Sequence, residues 1–226
     1  MPTLDPSDLV PLFTESPSSA SVRAYLESLA SPSSLPEPEI KSYSDVIYHN
    51  HYSIGISLSY NPLKGLDSID IFNSSLINSS SPTTTKRIKQ ELIPNYSNSP
   101  EIIINFLNDK IELPPKKKGE NSIFINRSIN FKIKNNSNGR EFISHLGEPN
   151  RKGSGSWIGL WLEWNNILIK SEKEGKEFKI GIMIELKDPG SYEFLTEEGR
   201  KKGMGGIWER ASRWEWSNIK FFKVEQ

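Results

Sequence analysis

Apolar residues recur along this chain with two spacings, and these divide it into strands and short helices. Between Trp157 and Trp164 the period is two. Ile158, Leu160, Leu162 and Trp164 share one face, and Trp157, Gly159, Trp161 and Glu163 the other. Bulky residues at that period predict a strand. Val46 to Asn61 predicts a hairpin turning near Asn50 to Ser53, and its second strand carries Ile54, Ile56, Leu58 and Tyr60 on one side. Further strands are predicted at Ser68 to Phe72, Ser122 to Lys134, Ile180 to Leu186 and Ser217 to Val224, while Glu101 to Leu107 suits helix or strand.

Helical spacing is rarer. Phe142, Ile143 and Leu146 lie at i, i+1 and i+4, Gly147 fits a C-terminal cap, and Pro149 blocks continuation. Ser18 to Leu29 is a second helix with Ser19 or Ser21 as N-cap, and a short helical segment is expected near Asp8 to Phe13. By composition, Ser31 to Glu39, Ser74 to Thr85, Arg151 to Ser156 and Lys170 to Lys179 read as loops, and Pro114 to Gly119 as a linker.

Parts of this pattern occur twice. Arg23 to Pro32 aligns without a gap on Arg140 to Pro149, with Arg, aromatic, aliphatic, Leu and Pro at matching positions. Val46 to Tyr52 then corresponds to Ile158 to Trp164, Ser53 to Tyr60 to Lys179 to Leu186, and Asp67 to Phe72 to Ser217 to Phe222. Chance readily supplies one such match but not several in order. The expected fold is therefore α+β, an internal duplication of a helix-plus-antiparallel-sheet module, with sheets that could join into one. The first module occupies residues 1–115 and the second residues 116–226, with a Gly/Trp-rich insertion at residues 188–214.

Lys plus Arg and Asp plus Glu each number 28, which argues against a general nucleic-acid or membrane-surface binder. With no cysteine, disulfides, thiolate catalysis and cysteine-ligated zinc are excluded. The first residues lack an apolar run, so no signal peptide or membrane span is expected, and the expected compartment is the cytoplasm.

The helix ending His145-Leu-Gly-Glu-Pro149 and the strand Ile180-Gly-Ile-Met-Ile184 resemble the small α+β module of bacterial outer-membrane-assembly lipoproteins of the BamE/SmpA type. A tandem pair of such modules is the architecture of the secreted β-lactamase inhibitor proteins. The Glu-Pro-x-Arg-Lys-Gly phrase is also similar to uncharacterised fungal proteins. The resemblance to the bacterial proteins implies binding to another protein rather than catalysis.

The residues give the same first choice. Trp157, Trp161 and Met183 are expected on the sheet face opposite the core residues Leu160, Ile182, Ile219 and Phe221, where aromatics mark either an interface or packing against the other module or the insertion. Arg200, Met204, Trp208, Arg210 and Trp214 of the insertion mix cations, glycines and aromatics, which suits either protein contact or a long loop tucked onto the sheet by Trp208 and Trp214. The alternative is a metal-dependent enzyme or small-ligand binder. His49 and His51 at i and i+2 of a strand project to one side, matched by the alignment to the face away from the core, with Asp70 as a third ligand. No cofactor is expected, because Arg151 to Gly155 follows a helix instead of opening one, as a phosphate loop must. No Gly-x-Ser-x-Gly elbow occurs, and no catalytic set is assigned.

Overall fold

In a computed structural model, residues 2–74, 96, 97, 99–113, 115, 119, 121–155, 159–187 and 208–224 are described. Trp157, Arg200 and Met204 lie outside them, as does most of the 188–214 insertion. Helix α1 (Ala20–Ala30) starts at Ser19, whose side chain accepts the N–H of Val22. Helix α2 (Gly139–Leu146) starts at Asn138 with a reciprocal capping box to Glu141, and stops at Gly147 with φ +85°. Each buries one stripe: Val22, Leu26 and Leu29 in α1, Phe142 and Leu146 in α2.

The strands are β1 (Thr3–Leu4), β2 (Glu39–Ser42), β3 (Ile47–His51), β4 (Ile56–Asn61), β5 (Gly65–Phe72), β6 (Glu101–Asn105), β7 (Lys110–Leu113), β8 (Ile123–Asn126), β9 (Asn130–Ile133), β10 (Arg151–Gly155), β11 (Gly159–Lys170), β12 (Glu177–Leu186) and β13 (Trp216–Phe222). Eight of them form one antiparallel sheet in the order β10-β11-β12-β13-β5-β4-β3-β2. A small sheet takes the order β1-β6-β9, and β7 with β8 makes a separate ribbon. On that ribbon Ile123, Phe124 and Ile125 are exposed.

The expected α+β fold of two duplicated helix-plus-sheet modules is corrected here. Among the described residues the structure is mostly β, with 45% strand against 19% helix, dominated by the eight-stranded sheet. β5 pairs directly with β13, Ile69 opposite Phe221 and Ile71 opposite Ile219, so a single sheet runs through the middle. The small sheet draws β6 from before the expected linker and β9 from after it. One hydrophobic cluster holds Leu4, Leu26, Ile71, Ile104, Phe142, Trp164 and Phe221 together. Any half-buried strand needs a period of two. The recurring apolar spacing thus reflects a burial requirement that many strands of one sheet share.

Two local expectations also change. Arg151 to Gly155 reads as a loop from its composition, yet it forms edge strand β10, pairing Arg151 with Glu163 and Gly153 with Trp161. Ser122 to Lys134 reads as one strand, yet it splits into β8 and β9, which belong to different sheets. Glu101 to Leu107, ambiguous in sequence, supplies strand β6.

Candidate binding face of the large sheet

Alternation sends Ile56, Leu58, Ile69, Ile71, Ile219, Phe221, Ile182 and Ile184 to one face, where the small sheet and both helices join the same core. The other face is polar. A single cross-strand row runs over it through Glu39, Asn50, Ser57, Asp70, Lys220, Met183, Glu163 and Arg151, one residue from each strand. A second row carries Phe72, Asn218, Glu185, Trp161 and Gly153. A third carries Lys41, Tyr48, Ser59, Ser68, Phe222 and Gly181.

The middle of this face is buried although it is polar. Asn50, Ser57, Ser59, Ser68, Asp70 and Asn218 are each less than a tenth exposed. Asp70 Oδ1 accepts from Asn218 Nδ2 at 2.9 Å, and its Oδ2 lies 3.5 Å from Lys220 Nζ. Burial pushes the Asp70 carboxyl above its ordinary value, while Lys220 and Asn218 pull it back. Glu185, a neighbour in the second row, is also pushed up, first by burial and then by the charge of Asp70, while the charge of Lys220 pulls it back. Its carboxylate has no hydrogen-bond or ion-pair partner among the described residues.

Towards β2 the polar groups satisfy one another. Asn50 Oδ1 accepts from Ser57 Oγ at 2.7 Å and from Tyr96 Oη at 3.1 Å. Glu39 accepts from the Tyr52 hydroxyl and pairs with Lys41 at 3.2 Å. Tyr96 stacks on Phe72 with centroids 3.9 Å apart and meets Tyr52 edge-on at 4.8 Å.

Towards β10 two aromatic rings lie over glycines. A Cβ at Gly153 would come within 2.5 Å of Trp161, and one at Gly181 within 2.2 Å of Phe222. The Trp161 and Phe222 rings therefore lie flat across the sheet, in space that only glycine leaves open. The Arg151 guanidinium sits 5.6 Å from the Trp161 ring and 3.3 Å from Glu163.

The expected site residues divide between the two faces. Trp161 and Met183 are half-buried on the polar face, away from Leu160, Ile182, Ile219 and Phe221 as expected. Trp208, Arg210 and Trp214 lie at the other side, on and after a helical turn at 208–211 against α2. There Arg140 donates to Glu209 at 2.5 Å, and the Trp214 carbonyl accepts from Gly139 N. Trp214 is 8% exposed, and Trp208 packs against the core. The structure does not bring these two groups together.

Nor does it bring His49, His51 and Asp70 together. His49 stands opposite Leu58 and His51 opposite Ile56, so both turn to the apolar face, whereas Asp70 is on the polar one. His49 packs its ring 4.9 Å from Tyr60, and His51 is 6% exposed with Nδ1 unpartnered. Among the described residues no group of three His, Asp or Glu side chains could hold a metal ion.

The burial of His51 carries a pH consequence. Burial, and secondarily His49, lower its pKa from 6.5 to about 4. The folded state therefore stays neutral where the unfolded chain binds a proton. Stability is highest above the unfolded pKa and falls as pH drops through the window from 6.5 to about 4, by roughly 1.4 kcal/mol per pH unit from this group. Denaturant titrations at several pH values check it: the wild-type minus His51→Leu difference should slope in that window and be flat above it.

Asn50, Ser57, Tyr96, Glu185, Asn218 and Lys220 were not singled out in the sequence as functional. The available signal is the lone polar residue inside an apolar strand, as in Ile69-Asp70-Ile71 and Ile219-Lys220-Phe221. No protein family, curated protein or solved structure matches the chain in comparison. Among the described residues no helix is long and apolar enough to cross a membrane.

Proposed function

We propose that this chain is a non-enzymatic protein-binding module that receives a basic side chain of its partner on the polar face of the large sheet. The observation that carries the reading is Glu185, a half-buried carboxylate with no hydrogen bond or ion pair among the described residues, paired across the strands with the flat ring of Trp161. A lysine or arginine laid over that ring is attracted by its π face and meets the carboxylate beside it. Arg151 already makes this arrangement within the chain, over Trp161 and against Glu163. Met183, next to Lys220 in the first row, adds an adaptable apolar contact. The neutral overall charge opposes nucleic acid as the partner, and the absence of cysteine fits a reducing, intracellular setting. The implied role of the BamE/SmpA-type resemblance is likewise protein binding.

The test is an immobilised peptide library screened with wild type, Trp161→Ala and Glu185→Gln, after circular dichroism confirms that the variants fold. Selected peptides should be enriched in Lys or Arg beside an apolar residue. Each variant should weaken the best of them about tenfold. Selection of acidic or uncharged peptides, or full binding by both folded variants, would refute the proposal.

A further inference from the structure

The ribbon of β7 and β8 is anchored on one side only. Ile111 of β7 is 9% exposed and packs on the end of α2, where a Cβ at Gly147 would meet its methyl at 2.7 Å. The outer strand, β8, is uncovered. Ile123, Phe124 and Ile125 follow one another at 61%, 60% and 47% exposure. Three consecutive large apolar side chains, on both faces of one strand, are unfavourable in water until something covers them.

The backbone of β8 is open as well. Arg127 N donates to Asp109 O, which fixes the alternation of the ladder. Ile125 with Ile111 and Ile123 with Leu113 are hydrogen-bonded pairs, and Phe124 with Glu112 is a non-hydrogen-bonded one. The N–H and C=O of Phe124 therefore point away from β7. The two edges of the large sheet are guarded by comparison: β2 carries Glu39 and Lys41 after Pro38, and β10 carries Arg151 and Lys152. β8 has neither a charge nor a proline.

The strand is also complementary to itself. Two β8 strands paired antiparallel about a two-fold axis at Phe124 set each Ile123 opposite an Ile125 and each Ser122 opposite an Asn126. The Phe124 main-chain groups then bond their own counterparts. The two Phe124 rings meet on one face and the isoleucines on the other. The neighbouring two-fold registers are poorer. Centred on Ile123, the pairing sets Ile125 against Asn121. Centred on Ile125, it sets Ile123 against Arg127, whose guanidinium is held over the Phe106 ring and by the His145 carbonyl.

We propose that β8 is a dimerisation edge, and that a second copy of this chain adds its own β8 to give one sheet in the order β7-β8-β8-β7. The exposures leave on the order of 100 Å² of apolar surface on each of the three side chains, so pairing removes on the order of 600 Å² over the two copies before main-chain contacts are added. That area lies at the low end for specific interfaces and makes a reversible dimer, not an obligate one.

The experiment is analytical ultracentrifugation of the full chain from about 1 μM to about 1 mM. Wild type should show a monomer–dimer equilibrium with a dissociation constant on the order of 100 μM. Phe124→Lys, confirmed as folded by circular dichroism, should stay monomeric throughout, while Ile40→Lys on the guarded edge β2 should dimerise like wild type. The register has its own test. A chain with Ile123→Lys and Ile125→Lys, and another with Ile123→Glu and Ile125→Glu, should each be monomeric, and their mixture should dimerise because every lysine then faces a glutamate. A wild type that is monomeric at the highest concentration overturns the proposal. So does dimerisation by folded Phe124→Lys, growth past the dimer, or a charge-swapped mixture that stays monomeric. Trp161→Ala and Glu185→Gln should dimerise like wild type, which keeps this test separate from that of the sheet face.

Discussion

Alanine at Trp164 should lower the unfolding free energy by about 4 kcal/mol. Trp164 is 2% exposed and faces the apolar side of β11 opposite Ile182. Its indole Nε1 donates to the Gly147 carbonyl at 3.0 Å. Gly147 ends α2 with φ +85°, and its own N–H caps Ile143. The side chain thus fills the core and fixes the end of the helix to the sheet. Truncation leaves a large cavity and a buried carbonyl without its donor, and the two losses add. Guanidinium titration measures it. A loss under about 1.5 kcal/mol would mean that the site collapses around the smaller side chain and that the indole is no clamp. As a control, Leu168→Ala on the same strand, 39% exposed, should cost far less, within roughly 0.5–1 kcal/mol.

Methionine at Lys220 should cost about 3 kcal/mol at neutral pH, and much of that should return in acid. Lys220 lies on the polar face 3.5 Å from Asp70, whose carboxyl is almost wholly buried. Removing the ammonium leaves that charge with Asn218 as its hydrogen-bond donor and with Glu185 as a like-charged neighbour. The sign follows from protonation. Burial raises the Asp70 pKa in the fold, so its contribution is present below the unfolded pKa and lost as pH rises through the folded one. The variant raises that folded pKa further and widens the window of loss. Denaturant titrations at neutral pH and near pH 4 check it. An equal loss at both pH values would show that packing, not the uncompensated carboxylate, sets the cost. Glu185 is raised in the same direction, so Lys220→Met combined with Asp70→Asn should recover part of the loss and leave the Glu185 share.

What could be read in the sequence was local. Gly147 and Pro149 mark the end of α2, because a positive-φ stop and a residue without an N–H fall at fixed positions after its last turn. The faces of β4 and β12 follow from alternation alone. Pairing between β5 and β13 brings together residues about 150 positions apart, and nothing local specifies such a contact. β10 was hidden because Arg-Lys-Gly-Ser-Gly has loop composition. Its glycine is there for the Trp161 ring, which is a tertiary reason.

The His49/His51 reading shows how a correct period can give a wrong face. Both side chains do share a side. Which side is set by the hairpin, where the 3-10 turn Tyr52–Ile54 and Gly55 at φ +67° place His51 opposite Ile56. Cross-strand partners share a face, so the histidines join the isoleucines, and Asp70, one residue from Ile71, cannot. On the polar face, Trp161 and Met183 were accessible from alternation, whereas Glu185, Asn218 and Lys220 became visible only when the register set them in neighbouring rows.

The most direct test of the sheet-face reading is chemical footprinting with a selected basic peptide bound. Carbodiimide modification of Glu185 and oxidation of Trp161 and Met183 are followed by mass spectrometry, with Trp208 as the reference on the opposite side. Binding on the polar face predicts that Glu185, Trp161 and Met183 are protected together while Trp208 is unchanged. Protection at Trp208, with those three labelled as in the free protein, would contradict it.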